Sequence, residues 1–161
     1  MKPPASQRIS QTSTFRVEAP LEKAFPLFGP ILEKEWAWGW DPKVVYSSSA
    51  LIEEKMIFRT KGREGDYTWI VSRYEPQQYL VEYTVYTQER VWFITVLCSG
   101  EGQATEVSVT YTYTGLTETG NALNRQALDE MFKHDLKDWE EAIAWYLVKG
   151  KILEPEQASL T

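Results

Sequence analysis

The chain has 161 residues and a formal net charge of -6, from 17 Lys and Arg against 23 Asp and Glu. It has no basic block that could track a phosphate backbone, so no nucleic-acid partner is expected. One cysteine, Cys98, and one histidine, His134, exclude an intramolecular disulfide, Cys/His metal centres and Cys-His or Ser-His-Asp catalysis, so neither a metal nor a cofactor is expected.

The length fits one domain with room for an internal cavity. No apolar run approaches the roughly 18 residues that span a bilayer, and residues 1–10 lack a signal-peptide core. A cytoplasmic monomer or homodimer without integral membrane association is expected. Residues 1–10 and 152–161 read as flexible tails around a domain at 11–151. Within it, residues 11–19 alternate with Phe15 and Val17 on one side, a strand pattern. Pro20 then suits a helix start, and Leu21, Ala24, Phe25 and Phe28 follow at helical spacing. Pro26 and the pair Gly29-Pro30 divide this stretch into two short helices, the second running through ILEKEW into EWAWGWDP at 35–42.

Residues 43–115 read as six strands: KVVYSS, EKMIFRT, DYTWIVSRY, QYLVEYTVYT, RVWFITVLC and TEVSVTYTYT. The turn sequences GREG, EPQQ, QE and SGEGQ are short enough to make hairpin neighbours antiparallel. GREG reads as hairpin chemistry rather than a phosphate cradle, because no helix N-terminus follows it. Residues 118–149 read as a single helix, with Leu128, Met131, Phe132, Trp139, Ile143 and Tyr146 at helical spacing and Gly150 as its stop. The fold class is α+β: a seven-stranded antiparallel sheet wrapped around a long C-terminal helix, with two short helices after the first strand.

Counting back through the turns gives one inner face. Val107, Val109, Tyr111 and Tyr113 share it with Trp92, Ile94, Val96 and Cys98, then with Tyr79, Val81, Tyr83 and Val85. The next strands add Ile70, Ser72 and Tyr74, then Met56 and Phe58, and send Trp69 outward, from where a single bulge would return it. Each buried Tyr hydroxyl needs a partner, and several on one concave face point to a partly wet, ligand-sized cavity. On the helix, Asp135 falls inside the apolar stripe. It either pairs with an arginine such as Arg16, Arg59 or Arg73, reaches water at the margin, or stands in the cavity with a raised pKa. His134 lies at the polar edge and reads as solvated.

The element order and two motifs resemble the START-like, helix-grip superfamily (SRPBCC) over about 15–151. That superfamily includes birch-pollen allergen-like proteins, lipid-transfer domains, polyketide cyclases and chaperone-ATPase activator domains. EKEWAWGWDP is similar to the E-x-x-W-x-x-G-W-x-P stretch of uncharacterised bacterial members at Glu33, Trp36, Gly39, Trp40 and Pro42. The end of the chain resembles theirs in the L-T-x-x-G-N stretch and in Trp139, Ile143, Tyr146, Leu147 and Gly150; Trp38 departs from the pattern, where a smaller residue or proline is common. The resemblance implies that the short helices form a V closing one mouth of a cavity. Trp36 and Trp40 would pack the V, and Trp38 would reach the ligand space or its entrance.

The ligand-binding residues expected from the sheet are Phe58, Ile70, Tyr83, Trp92, Tyr111 and Tyr113. Trp38, Phe132, Asp135 and Trp139 join them from the turn and helix, with Asp135 the candidate acid-base group. Three functions compete. The first is carriage or sensing of a hydrophobic or aromatic small molecule. The second is a cyclase-like enzyme using Asp135 and Tyr hydroxyls. The third is a protein-interaction domain with a filled core, hinted at by the outward Tyr86, Phe93 and Leu97.

Overall fold

A computed structural model describes residues 6–48 and 51–155. Seven strands form one antiparallel sheet: β1 (Arg8–Val17), β2 (Lys43–Tyr46), β3 (Ile57–Gly62), β4 (Gly65–Glu75), β5 (Leu80–Tyr86), β6 (Arg90–Ser99) and β7 (Thr105–Gly115). Their spatial order is β1-β7-β6-β5-β4-β3-β2. From β2 to β7, strands consecutive in sequence lie side by side, as the short turns require from β3 onward. β1 joins the free edge of β7, with Phe15 opposite Val107 and Val17 opposite Thr105.

Helix α1 (Leu21–Ala24) and two 3-10 turns, Phe25–Phe28 and Leu32–Glu35, follow β1. The second short helix expected from the sequence is thus a single 3-10 turn. β1 begins at Arg8, inside the expected N-terminal tail, and Leu153 is buried inside the expected C-terminal one. The remainder of both tails, 1–5 and 156–161, lies outside the described residues. Among the described residues no helix is long and apolar enough to cross a membrane, and no cluster of His, Cys, Asp and Glu is placed to hold a metal ion.

The inner face follows the expected register across three strands: Tyr113, Tyr111 and Val109 stand opposite Trp92, Ile94 and Val96, which stand opposite Val85, Tyr83 and Val81. On β4 the register shifts between Val71 and Arg73, leaving Ser72 as the extra residue of a bulge. Beyond it Val71 and Trp69 face inward, opposite Tyr83 and Val85, and Trp69 also faces Phe58 on β3. Ile70 therefore turns to the outer face, opposite Ile57 and Thr84, which corrects its expected place in the cavity.

The L-T-x-x-G-N stretch joins β7 to the helices. Thr117 caps the helix by accepting from the Gly120 amide at 3.0 Å, and its hydroxyl donates to the Glu89 carboxylate in the β5–β6 turn. The Leu116 amide donates to the Glu89 carbonyl at 2.8 Å, and a Cβ on Gly120 would lie 1.8 Å from that same oxygen. Only glycine lets the helix start this close to the hairpin. The Asn121 side chain then accepts from the Gln7 amide at 3.0 Å, tying in the start of the chain.

The expected single helix is two: α2 (Glu118–Met131) and α3 (Lys137–Lys149). Asp135 and Leu136 between them adopt left-handed backbone, with φ of 51° and 59°. This conformation is unfavourable for residues with a Cβ and persists only where the surroundings enforce it. The enforcing contact is Leu136, fully buried at 0 % exposure, while Asp135 is exposed. The two positions exchange the roles that an unbroken helix would give them. Asp135 therefore lines no cavity and pairs with none of the arginines considered; Arg16 pairs with Glu18 and Arg73 with Glu75.

Urea unfolding tests this exchange: Leu136→Ala should lower stability by about 2–5 kcal/mol, while Asp135→Asn should change it by less than about 0.5 kcal/mol.

Candidate functional site

The segment after α1 is folded by its tryptophans. In the turn Leu32–Glu35 the Trp36 and Ala37 amides both donate to the Glu33 carbonyl, at 3.2 and 2.8 Å. The Trp36 indole N-H donates to the Leu27 carbonyl and that of Trp40 to the Pro30 carbonyl, both at 2.7 Å. Gly39 supplies the left-handed residue, φ 81°, that reverses the chain between them. Trp36 then packs on Phe28 and Trp139, with ring centroids 6.0 and 5.8 Å away, and Trp40 packs edge-on against Trp69 at 5.3 Å. With both indoles fixed, the side chain of Glu33 is directed into the space between sheet and helices. Trp38, between them, remains 58 % exposed and forms the rim of that space.

The space is a cavity of about 530 Å³. Trp69, Tyr83, Ile94, Val96 and Tyr111 wall it from the sheet, and Met131, Trp139 and Ala142 from the helices. Leu153 and Pro155 close it from the C-terminal side. A second space of about 380 Å³ adjoins it across Trp69, Ile94, Tyr111 and Trp139, and extends past Trp92 and Tyr113 to Arg90.

At that far end the one cationic side chain buried among the described residues is satisfied internally. Arg90 forks onto Glu64, Nε to Oε2 at 2.7 Å and Nη2 to Oε1 at 3.0 Å, donates to the Tyr67 hydroxyl at 2.9 Å, and lies 4.4 Å above the Trp92 ring. Burial pushes the Glu64 carboxyl up, but hydrogen bonds from Arg90 and Tyr67 outweigh it and hold Glu64 below its usual range. Glu64 comes from the GREG turn, whose two glycines form the hairpin.

The polar groups facing the larger cavity are less well met. The Tyr83 hydroxyl donates to the Phe28 carbonyl at 2.5 Å. The Tyr111 hydroxyl has no hydrogen-bond partner among the described residues, although Tyr111 is only 5 % exposed. Glu33 likewise has no ion pair or side-chain hydrogen bond there. The residue is partly accessible because the cavity is wide enough for water, yet its carboxyl lies deep among protein atoms. Burial raises its pKa well above the ordinary 4.5. Burial is also the leading cause that raises Tyr83 and Tyr111, and the nearby Glu33 charge adds to both. Cys98 is a buried thiol pushed up to about 12, too high for a nucleophile.

Of the residues expected to line a site, Tyr83, Tyr111 and Trp139 wall the larger space, Trp92 and Tyr113 the smaller, and Trp38 the rim. Phe58 lies one layer behind, stacked on Trp69 at 5.3 Å, and Phe132 supports Tyr111 edge-on at 5.8 Å. Ile70 and Asp135 lie elsewhere. Glu33 and Trp69 were not among the expected residues. For Trp69 the signal was the large aromatic stranded on an outer face; Glu33, one of three consecutive charged residues before Trp36, was marked only by its place in the E-x-x-W-x-x-G-W-x-P stretch.

No family model matches this sequence, and no curated protein matches it. Solved structures share its architecture. Norcoclaurine synthase from Thalictrum flavum, in complex with dopamine and hydroxybenzaldehyde, superposes with a TM-score of 0.64 at 9 % identity, covering 91 % of this chain and 90 % of its own. CalU16 from Micromonospora echinospora gives 0.57 at 16 % identity over 97 % of this chain and 91 % of its own. The di-domain ARO/CYC BexL, from the BE-7585A biosynthetic pathway, gives 0.62 at 11 % identity over 86 % of this chain and 47 % of its own. The chain has the helix-grip fold of the START-like (SRPBCC) proteins.

The Glu33 environment has a testable sign. With its folded pKa raised, the native protein keeps a proton that the unfolded chain has released, so stability falls as pH rises from about 4.5 through the folded value. Glu64 and Glu140, both lowered, contribute the opposite trend. The difference between wild-type and Glu33→Gln thermal-melt profiles isolates Glu33: the variant should gain relative stability across that window and be no less stable at neutral pH.

Proposed function

We propose that this protein binds a hydrophobic or aromatic small molecule in the cavity between β4–β7 and the helices, as a carrier or sensor. The observation that carries the reading is a cavity of about 530 Å³ whose walls are aromatic and aliphatic, with Tyr111 and Glu33 on it and their hydroxyl and carboxyl matched by no other side chain among the described residues. A volume of this size and a few convergent polar groups on apolar walls are the attributes of small-molecule sites. The ligands of the norcoclaurine synthase complex, two small aromatic compounds, are in keeping with such a space in this fold.

An enzyme reading finds support in the same two groups rather than in Asp135. A carboxyl with a raised pKa beside a phenol could pass a proton to and from a bound substrate. Of the residues named for the interaction-domain reading, Tyr86 and Leu97 are exposed at 43 % and 42 % and Phe93 is partly covered by the Arg8 guanidinium at 5.9 Å; the edge strand β2 adds the exposed Val44, Val45 and Tyr46.

Titration with N-phenyl-1-naphthylamine, a neutral apolar fluorophore, tests occupancy. One molecule should bind per chain with quenching of tryptophan emission. Ala142→Trp, which fills the cavity from a partly exposed helix position, should weaken binding by at least about ten-fold while the thermal melt is kept. Unchanged affinity in that variant would place the probe elsewhere and sink the reading.

A further inference from the structure

We infer that the ligand of this cavity carries a cationic nitrogen, for which Glu33 is the counter-ion and the surrounding indoles and phenols are the walls. The inference rests on the cavity reading above and narrows it to a chemical class, apolar aromatic amines and related organic cations.

Charge selects the class. Among the described residues, the side chains with a carboxylate on this cavity are Glu33, Asp138 and Glu141, and no lysine, arginine or histidine lines it. The nearest inward-facing guanidinium, Arg90, is spent on Glu64 and Tyr67 in the adjoining space. An anionic ligand would meet the Glu33 carboxyl and no cationic side chain among the described residues. A neutral ligand would fit the apolar walls but leave ionisation of Glu33 as costly as it is without one. A cation returns what burial takes from that carboxylate, since an opposite charge within a few ångströms favours its ionised form.

The walls fit the same class. Trp36, Trp40, Trp69, Tyr83, Tyr111 and Trp139 share the cavity with Glu33. Aromatic faces attract an organic cation most where water is excluded. The hydroxyl of Tyr111, a residue only 5 % exposed, is unpartnered among the described residues and can accept one ammonium N-H while Glu33 accepts another.

Calorimetric titration with three probes of matched shape tests this: 2-(2-naphthyl)ethylamine, 2-(2-naphthyl)ethanol and 2-naphthylacetate at pH 7.5. The ammonium should bind at least about ten-fold tighter than the alcohol, with the carboxylate weakest. In Glu33→Gln the ammonium and the alcohol should bind within about two-fold of each other. The inference is overturned if the wild-type protein binds the alcohol as tightly as the ammonium, a comparison that needs no variant to fold. It is also overturned if Glu33→Gln keeps the ammonium preference, or if N-phenyl-1-naphthylamine binds and none of the three naphthyl probes does. Loss of all four would instead overturn the cavity reading on which it rests.

Discussion

The site depends on two indole hydrogen bonds. By donating to the Leu27 and Pro30 carbonyls, Trp36 and Trp40 fold a segment that has almost no regular structure of its own into a fixed bracket across the mouth of the sheet. Side chain to backbone bonds of this kind satisfy carbonyls that a 3-10 turn leaves open, and the large rings then exclude water around them. Everything that faces the cavity from this side, Glu33 included, inherits its position from that bracket. The ring chain continues from Trp36 to Trp139 on α3 and from Trp40 to Trp69 on β4, so the bracket, the sheet and the helix share one aromatic layer.

Within that layer charge is divided unevenly. At one end Arg90 and Glu64 neutralise each other in a buried fork, capped by Tyr67 and resting on Trp92. At the other, Glu33 has no such match. A fully matched pair serves packing and register, whereas an unmatched carboxyl on the cavity is costly to ionise until an opposite charge stands beside it. The molecule thereby distinguishes its structural ion pair from its candidate recognition group by the same electrostatic rule applied twice.

The helix break adds a third constraint. Two consecutive left-handed residues are costly, and their retention implies that burying Leu136 and bringing Trp139 to the cavity outweigh the strain. An unbroken helix would carry Asp135 where Leu136 now sits. The break thus removes one carboxylate from the interior while the bracket supplies another from a different part of the chain.

What the sequence determined by itself was whatever short-range physics dictates. Alternation and tight turns specified five successive antiparallel strands, and the side-chain period of two carried Tyr83, Trp92, Tyr111 and Tyr113 onto one face without reference to the rest of the molecule. The division of the tryptophans into a packed pair and one at the entrance came from the family resemblance rather than from their spacing. What only the tertiary structure decided were the features whose cost is local and whose benefit is distant. The Ser72 bulge exchanges Ile70 for Trp69 because Phe58 and Trp40 are there to receive the ring. The left-handed pair at 135 and 136 exchanges Asp135 for Leu136 because the core receives the leucine. Glu33 becomes a cavity group only once β5, β7 and α3 close around it. None of these has a periodic signature, since each is a single-residue departure from a period, stabilised by partners many residues away along the chain.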